Sequence, residues 1–137
     1  MTVQPVIRAM DESDPETISA AFTALGWHKP LTLFQRYLAE QEGGQRLAFV
    51  AEWRGDFAGY VTLEWVSDYG PFAQRHVPEI SDLNVLPAHR RKGIGNALLD
   101  RAESAASTRS NVVGLGVGLP SIGIDDEATL MFTRFVQ

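Results

Sequence analysis

A strand, a basic turn and a glycine-containing helix start follow one another in residues 79–108, and this segment restricts the fold more than any other. The β-prone run Glu79–Val85 leads into the basic turn Pro87–Lys92. A helix is predicted from about Gly93 to Thr108, because apolar residues recur there at helical spacing. Its inner stripe consists of Ile94, Ala97, Leu98, Ala102 and Ala105. A strand that feeds directly into a helix favours a layered α/β structure.

The other predicted elements complete one small mixed sheet. The remaining predicted strands are Val3–Arg8, Leu47–Trp53, Phe57–Trp65 and Val112–Val117. The remaining predicted helices run from Ser13–Glu16 to Gly26, from Leu31 to about Glu40, and from Asp125 or Asp126 to Phe135. Alternation in the third strand predicts one buried and one more polar face. The order β-α-α-β-β-β-α-β-α predicts an α/β fold with a mixed, mostly antiparallel central sheet flanked by helices.

Length, charge and cysteine content narrow the class of protein. The 137 residues suit a single domain spanning 1–137, and the absence of cysteine excludes disulfides and cysteine nucleophiles. The formal net charge of −5 argues against a nucleic-acid partner. The N-terminus lacks a signal-peptide pattern, and no apolar stretch is long enough to cross a bilayer. We therefore expect a cytoplasmic protein that binds neither nucleic acid nor membrane.

The basic turn and the two glycines after it suggest a phosphate site. A helix start has backbone N–H groups without partners and a partial positive charge, and glycines let a phosphate approach closely. A solvated turn with glycines that only permit tight packing is the alternative, and a lone Gly-x-Gly would favour it. The three cations Arg90–Lys92 reverse that preference. A Walker loop is absent, and a dinucleotide fingerprint fails because Leu98 takes the third glycine position.

The sequence Arg90-x-x-Gly93-x-Gly95, after Leu83-Asn84-Val85 and before Ala97-Leu98-Leu99, resembles the acetyl-CoA motif R/Q-x-x-G-x-G/A of the GNAT superfamily of N-acetyltransferases. The order of elements is similar too, so the resemblance covers about residues 3–132. It implies acetyl-CoA as co-substrate, with Leu83 and Val85 pairing with the pantetheine arm between the fourth and fifth strands. Gly114 and Gly116 would make room nearby. The implied pyrophosphate ligands are the backbone amides of Arg91, Lys92, Gly93, Ile94, Gly95 and Asn96.

Acetyl transfer to an amine needs a group that accepts the amine proton, because an alkyl amine with a pKa near ~10 is mostly charged at neutral pH. The resemblance implies Glu79 as this base, with Asp82 as second choice. The alternative is that Glu79 only caps its strand and faces solvent. The resemblance also implies that the backbone N–H of Val85 stabilises the oxyanion.

Many members of the family protonate the leaving thiolate with a tyrosine on the fourth helix, and Phe132 takes that position here. Tyr69 could replace it only if its loop folds over the site. Otherwise Tyr69 and Trp65 line an acceptor pocket, or Trp65 belongs to the core. The histidines are scattered, so no metal site is predicted.

The family usually adds two strands after the fourth helix, whereas this chain ends at Gln137. The resemblance therefore implies a domain that lacks these C-terminal strands. An uncovered apolar edge invites pairing with another chain, so we expect a homodimer or an exchanged element.

The first functional hypothesis is an N-acetyltransferase that acts on an amine of a small molecule or a peptide. Asp68, Glu79, Asp82 and the acidic net charge favour a cationic acceptor. A CoA- or acyl-CoA-binding module with little or no turnover is the alternative. An interaction domain, the third hypothesis, predicts no CoA binding at all.

Overall fold

The computed structural model describes residues 3–119 and 128–136 of the chain. In this part, a sheet has the strand order β1-β2-β3-β4-β5-β6, and only β4 and β5 are parallel neighbours. The strands are β1 Val6–Ala9, β2 Arg46–Trp53, β3 Asp56–Glu64, β4 Glu79–Val85, β5 Val112–Leu119 and β6 Ala128–Phe135. The helices are α1 Asp14–Ala24, α2 Leu31–Glu42, α3 Gly70–Gln74 and α4 Ile94–Ala106. The predicted mixed, mostly antiparallel α/β class is confirmed.

Helices cover both faces of the sheet. One core lies between α1, α2 and the sheet, and Phe22, Phe34 and Tyr60 are its largest fully buried side chains. The other lies between α4 and the sheet and includes Leu98. Since α1 and α2 cover it, the more polar face of β3 is buried as well, and Thr62 is 0% exposed. No helix in residues 3–119 and 128–136 is both long and apolar enough to cross a membrane.

A β-bulge interrupts β4 in the middle of the sheet. Tyr60 pairs with Asn84 and Thr62 pairs with Ser81, so two residues of β4 stand opposite one residue of β3. The first of the two, Asp82, has a left-handed φ of 54°. Within the described residues, pairing between β4 and β5 is limited to Glu79 with Gly114 and Ile80 with Leu115. The edge of β4 beyond the bulge is therefore not paired with β5.

The prediction of a last helix ending at Phe135 is wrong for residues 128–135, the part of it that the structure describes. Residues Ala128–Phe135 form β6, which pairs antiparallel with all of β5 from Val112 to Leu119. The segment contains threonines and phenylalanines, which favour strands, and β5 offers it a free edge. Its expected capping residues, Asp125 and Asp126, lie outside the described residues. Phe132, which takes the position of the family's tyrosine, therefore lies on a strand and not on a helix. Its side chain is 47% exposed.

The segment between β3 and β4, expected to be a loop, contains the short helix α3. Its Phe72 ring lies against Gly114 of β5, where any side-chain carbon would overlap the ring. The space at Gly114 is thus filled by Phe72, and the expectation that this glycine makes room for pantetheine is wrong. The predicted homodimer stays a prediction.

Candidate active site

The turn before α4 is held in a conformation that few residues adopt. Arg91 has a φ of 65° and Gly93 a φ of 77°, both in the left-handed region. A Cβ at position 93 would meet nothing within 4 Å, so the glycine is needed there for its backbone conformation. The first hydrogen bond of the helix runs from the Ala97 N–H to the Gly93 carbonyl, at 3.0 Å. The helix supplies no acceptor for the earlier amides of the turn.

These amides are available to a ligand. No acceptor among the described residues takes a hydrogen bond from the backbone N–H groups of residues 91–96. They border a cavity of about 300 Å³, lined among others by Val85, Arg90 and Gly95. A Cβ at Gly95 would have Val85 Cγ2, at 3.8 Å, as its nearest neighbour, so this glycine keeps space open without a packing need. A row of free donors beside open space fits an anionic group such as a diphosphate.

The three basic side chains add charge to this site. Arg90, Arg91 and Lys92 are exposed, and none of them pairs with a carboxylate in the described part of the chain. Lys92 Nζ lies 5.1 Å from the centre of the Trp53 ring and 3.3 Å from His89 Nδ1. The structure therefore brings the cations and the amides of the sequence motif to one place.

The pantetheine candidates, Leu83 and Val85, lie on the unpaired part of β4. Leu83 is 38% exposed. Val85 is half-buried and lines the same cavity as Gly95. Opposite Val85, a Cβ at Gly59 would come 2.5 Å from the Asn84 carbonyl oxygen, so only glycine allows β3 and β4 to approach this closely.

Glu79 begins β4 and lies across from Glu64 of β3. It is half-buried, and its Oε1 accepts a hydrogen bond of 2.5 Å from the Ser67 hydroxyl. Glu64 is paired differently, since Arg46 Nη2 donates to it at 3.1 Å. Burial raises the pKa of Glu64, and the charge of Arg46 partly offsets this. Of the two carboxylates, only Glu64 has a salt bridge among the described residues.

Asp82, the second candidate base, is saturated with donors. Its Oδ2 accepts from the hydroxyls of Tyr37 and Tyr60, both at 2.8 Å. Its Oδ1 accepts from Lys29 Nζ at 3.3 Å and from Asn84 Nδ2 at 2.7 Å. Burial, followed by the charge of Asp82, raises the pKa of both tyrosines, which keeps them protonated as donors. Four donors fill the usual acceptor positions of a carboxylate, which is the arrangement of an anchor rather than of a base.

The β3–β4 connection also contains aromatic residues, and one of them is linked to Glu79 through Ser67. Tyr69 is 40% exposed, packs edge-on against Phe72, and its N–H donates to Ser67 Oγ at 2.9 Å. Trp65 is partly buried against the α4-side core, and the Arg109 guanidinium lies 4.1 Å from the centre of its ring. Among the described residues, no group of three or more histidines and carboxylates could hold a metal ion.

Sequence reasoning missed the partners of both candidate carboxylates. Ser67, the partner of Glu79, comes from the connection between β3 and β4, and no local pattern marks it. The same holds for Lys29, Tyr37 and Tyr60 around Asp82. The register of β3 and β4 places Tyr60 beside Asp82, whereas the packing of α2 on the sheet brings in Tyr37 and the preceding Lys29.

Comparisons with solved structures show the same fold in acetyltransferases. Ribosomal-protein-alanine N-acetyltransferase from Brucella melitensis is 18% identical, with a TM-score of 0.74 over 96% of this chain and 99% of the other. The structure of yncA, a putative acetyltransferase from Salmonella typhimurium with its cofactor acetyl-CoA, is 20% identical. Its TM-score is 0.73, over 97% of this chain and 94% of the other. Arabidopsis thaliana NAA60 in complex with a bisubstrate analogue is 17% identical, with a TM-score of 0.71 over 96% and 98%.

A search of the curated proteins found no match to this sequence. The family described as "Acetyltransferase (GNAT) family" matches residues 10–122. This match includes α1 to α4 and the whole of the basic turn. It extends over most of the chain, and it shows that this protein belongs to the GNAT family of acetyltransferases.

Proposed function

We propose that this chain transfers the acetyl group of acetyl-CoA to an amine of a small molecule or a peptide. The observation that carries the proposal is the row of backbone amides at residues 91–96 that have no acceptor among the described residues and border an open cavity. Membership of the family supports acetyl-CoA as the donor. The N-acetyltransferase named in the Brucella melitensis structure supports an amine as the acceptor.

Acetyl-CoA supplies the activated acyl group, and the chain supplies the groups that hold it. The amides of Arg91, Lys92, Gly93, Ile94, Gly95 and Asn96 bind the diphosphate, together with the charges of the turn. Leu83 and Val85 offer the free backbone edge of β4 to the pantetheine arm. A backbone N–H on the free edge of β4 is the proposed oxyanion donor. Leu83 and Val85 both lie on the part of β4 that is not paired with β5 among the described residues, so one extended arm would run along both.

Glu79 is the proposed base. It takes the proton of the attacking amine while the new N–C bond forms and the C–S bond breaks, and the electron pair leaves with the thiolate. Because Glu79 has a neutral partner, Ser67, its negative charge is not compensated by a salt bridge among the described residues. A thiol is acidic enough, with a pKa near ~8.5, to leave as thiolate and take its proton from water. A phenylalanine at position 132 is compatible with this reaction.

The acceptor is proposed to be cationic before it loses its proton. A cavity of about 530 Å³ lies between α2 and the end of β3. Its charged lining consists of the acids Glu40, Glu64 and Asp68 and the bases Arg36, Arg46 and Arg109. Glu79 begins the neighbouring strand, opposite Glu64. Because Arg46 forms salt bridges with Glu40 and Glu64, the attraction of a protonated amine toward the base is proposed to come from Asp68 and Glu79. The size suits a small molecule or the end of a peptide.

The test is a thiol-release assay against a panel of amines, together with calorimetry for CoA, on the wild type and on Glu79→Gln. We expect Glu79→Gln to lower kcat by about 10²–10⁴-fold at neutral pH, with unchanged affinity for CoA. The loss should shrink at high pH, where the free amine is already neutral. A full rate in Glu79→Gln would remove Glu79 from the mechanism.

The wild type separates the functional hypotheses. CoA binding without turnover on any amine would favour the binding module. No CoA binding would contradict both the enzyme and the module, and would leave the interaction domain.

A further inference from the structure

Ser67 is a buried residue in the connection between β3 and β4, and its hydroxyl contacts the proposed base. Its exposed fraction is 4%, which leaves little surface for direct contact with a substrate. Its Oγ accepts a hydrogen bond from the Tyr69 N–H at 2.9 Å. The same Oγ donates to Glu79 Oε1 at 2.5 Å.

The direction of the second bond follows from the first. A hydroxyl has one proton, and the Tyr69 N–H can only donate, so the Ser67 proton points to the carboxylate. This bond occupies Oε1 of Glu79 and leaves Oε2 for an incoming proton. It also holds a side chain that has three rotatable bonds and would otherwise be free to move.

Like charges make this restraint necessary. Glu64 lies directly across the β3–β4 pair, and Asp68 is next to Ser67 in the chain. Side chains directly opposite one another on paired strands are close enough for like charges to repel. Arg46 neutralises Glu64 only in part, since it also bonds Glu40 and Thr62. Without the Ser67 hydroxyl, we expect the Glu79 carboxylate to turn away from these charges.

We propose that Ser67 is a positioning residue, which fixes the Glu79 carboxylate for proton transfer. This inference rests on the proposed function, because it assumes that Glu79 is the base. The connection that carries Ser67 has further restraints besides this hydroxyl. Phe72 fixes it by packing on Gly114, and the Val77 N–H bonds the Phe72 carbonyl at 2.9 Å.

The experiment compares Ser67→Ala, Glu79→Gln and the double variant in full-length protein. Ser110→Ala is the matched control, because the Ser110 hydroxyl also makes two hydrogen bonds, both to Val112 at the start of β5. We expect Ser67→Ala to lower kcat about tenfold or more, which is the worth of one hydrogen bond to a charged group. The KM for acetyl-CoA and the Kd for CoA should not change. Ser110→Ala should keep the wild-type kcat.

The double variant gives the sharper readout. If Ser67 acts only through the Glu79 carboxylate, the double variant has the same kcat as Glu79→Gln alone. The inference would be overturned if adding Ser67→Ala to Glu79→Gln lowered kcat by the same factor as Ser67→Ala lowers it in the wild type. A wild-type kcat in Ser67→Ala while Glu79→Gln is slow would also overturn it, a result that leaves the proposed function intact. A wild-type kcat in Glu79→Gln would overturn the assignment of the base and this inference with it.

Discussion

Gly95→Ala separates a glycine needed for a ligand from a glycine needed for the fold. Gly95 lies in the first turn of α4 and has no positive φ. The added methyl group would have one neighbour, Val85 Cγ2 at 3.8 Å, which is an ordinary contact. Since alanine is favoured over glycine in a helix by about 0.5–1 kcal/mol, the free energy of unfolding should stay constant or rise.

The same methyl group should weaken CoA binding. It would project beside the cavity that the free amides of residues 91–96 border, where we place the diphosphate. The loss of one charge-assisted hydrogen bond costs about 1.5–3 kcal/mol, which raises the Kd about 10- to 150-fold. A more stable protein with weaker CoA binding is a combination that general damage to the fold cannot produce.

Gly93→Ala is the contrasting variant. At a φ of 77°, alanine pays about 1–2 kcal/mol, although nothing lies within 4 Å of the new methyl group. We expect this variant to be less stable than the wild type, unlike Gly95→Ala.

Urea unfolding gives the stabilities and isothermal calorimetry gives the Kd for CoA. S-acetyl-pantetheine, which lacks the diphosphate, is the control donor, and its kcat/KM should change little in Gly95→Ala. An unchanged Kd for CoA in Gly95→Ala would refute the diphosphate site.

Two further predictions concern the Asp82 network. Asp82→Ala should cost about 2–4 kcal/mol in urea unfolding, because it removes the acceptor of four hydrogen bonds and leaves alanine at a φ of 54°. Asp82→Asn, which tolerates this φ, should cost clearly less, and equal losses would contradict the anchoring role. The free energy of unfolding should also fall as pH rises above about 10, because unfolded tyrosines ionise there while Tyr37 and Tyr60, whose pKa values are raised, stay protonated. Tyr60→Phe should make this dependence shallower, and an unchanged slope between pH 8 and 11 would contradict it.

The elements that were predicted well are those with a local signal. Glu79–Val85 has the predicted bounds, and α4 begins at Ile94, one residue after the predicted Gly93. A change from strand to helical periodicity, together with a glycine at the boundary, is visible in the sequence without knowledge of the rest of the chain. The candidate diphosphate site could be predicted for the same reason, since it is built from consecutive residues.

The last element shows what a local signal cannot decide. Residues Ala128–Phe135 contain both apolar and strand-favouring residues, and a short apolar segment fits a helix or a strand. The deciding contact is the free edge of β5, whose paired residues lie from 9 positions (Leu119 with Ala128) to 23 positions (Val112 with Phe135) earlier in the chain. The partners of Glu79 and Asp82 were missed for the same reason, because they come from separate elements.

The bulge at Asp82 connects these observations, because one extra residue changes which side chains of β4 share a face. In a regular strand, Ile80 and Val85 would point to opposite faces, since they are five residues apart. In this structure both pack in the core under α4, and Val85 therefore reaches the cavity beside Gly95. Before the bulge, Glu79 stays on the face of Glu64, toward α2. A single strand thus presents the proposed base on one face of the sheet and a wall of the proposed coenzyme site on the other, which no alternating pattern in the sequence could have indicated.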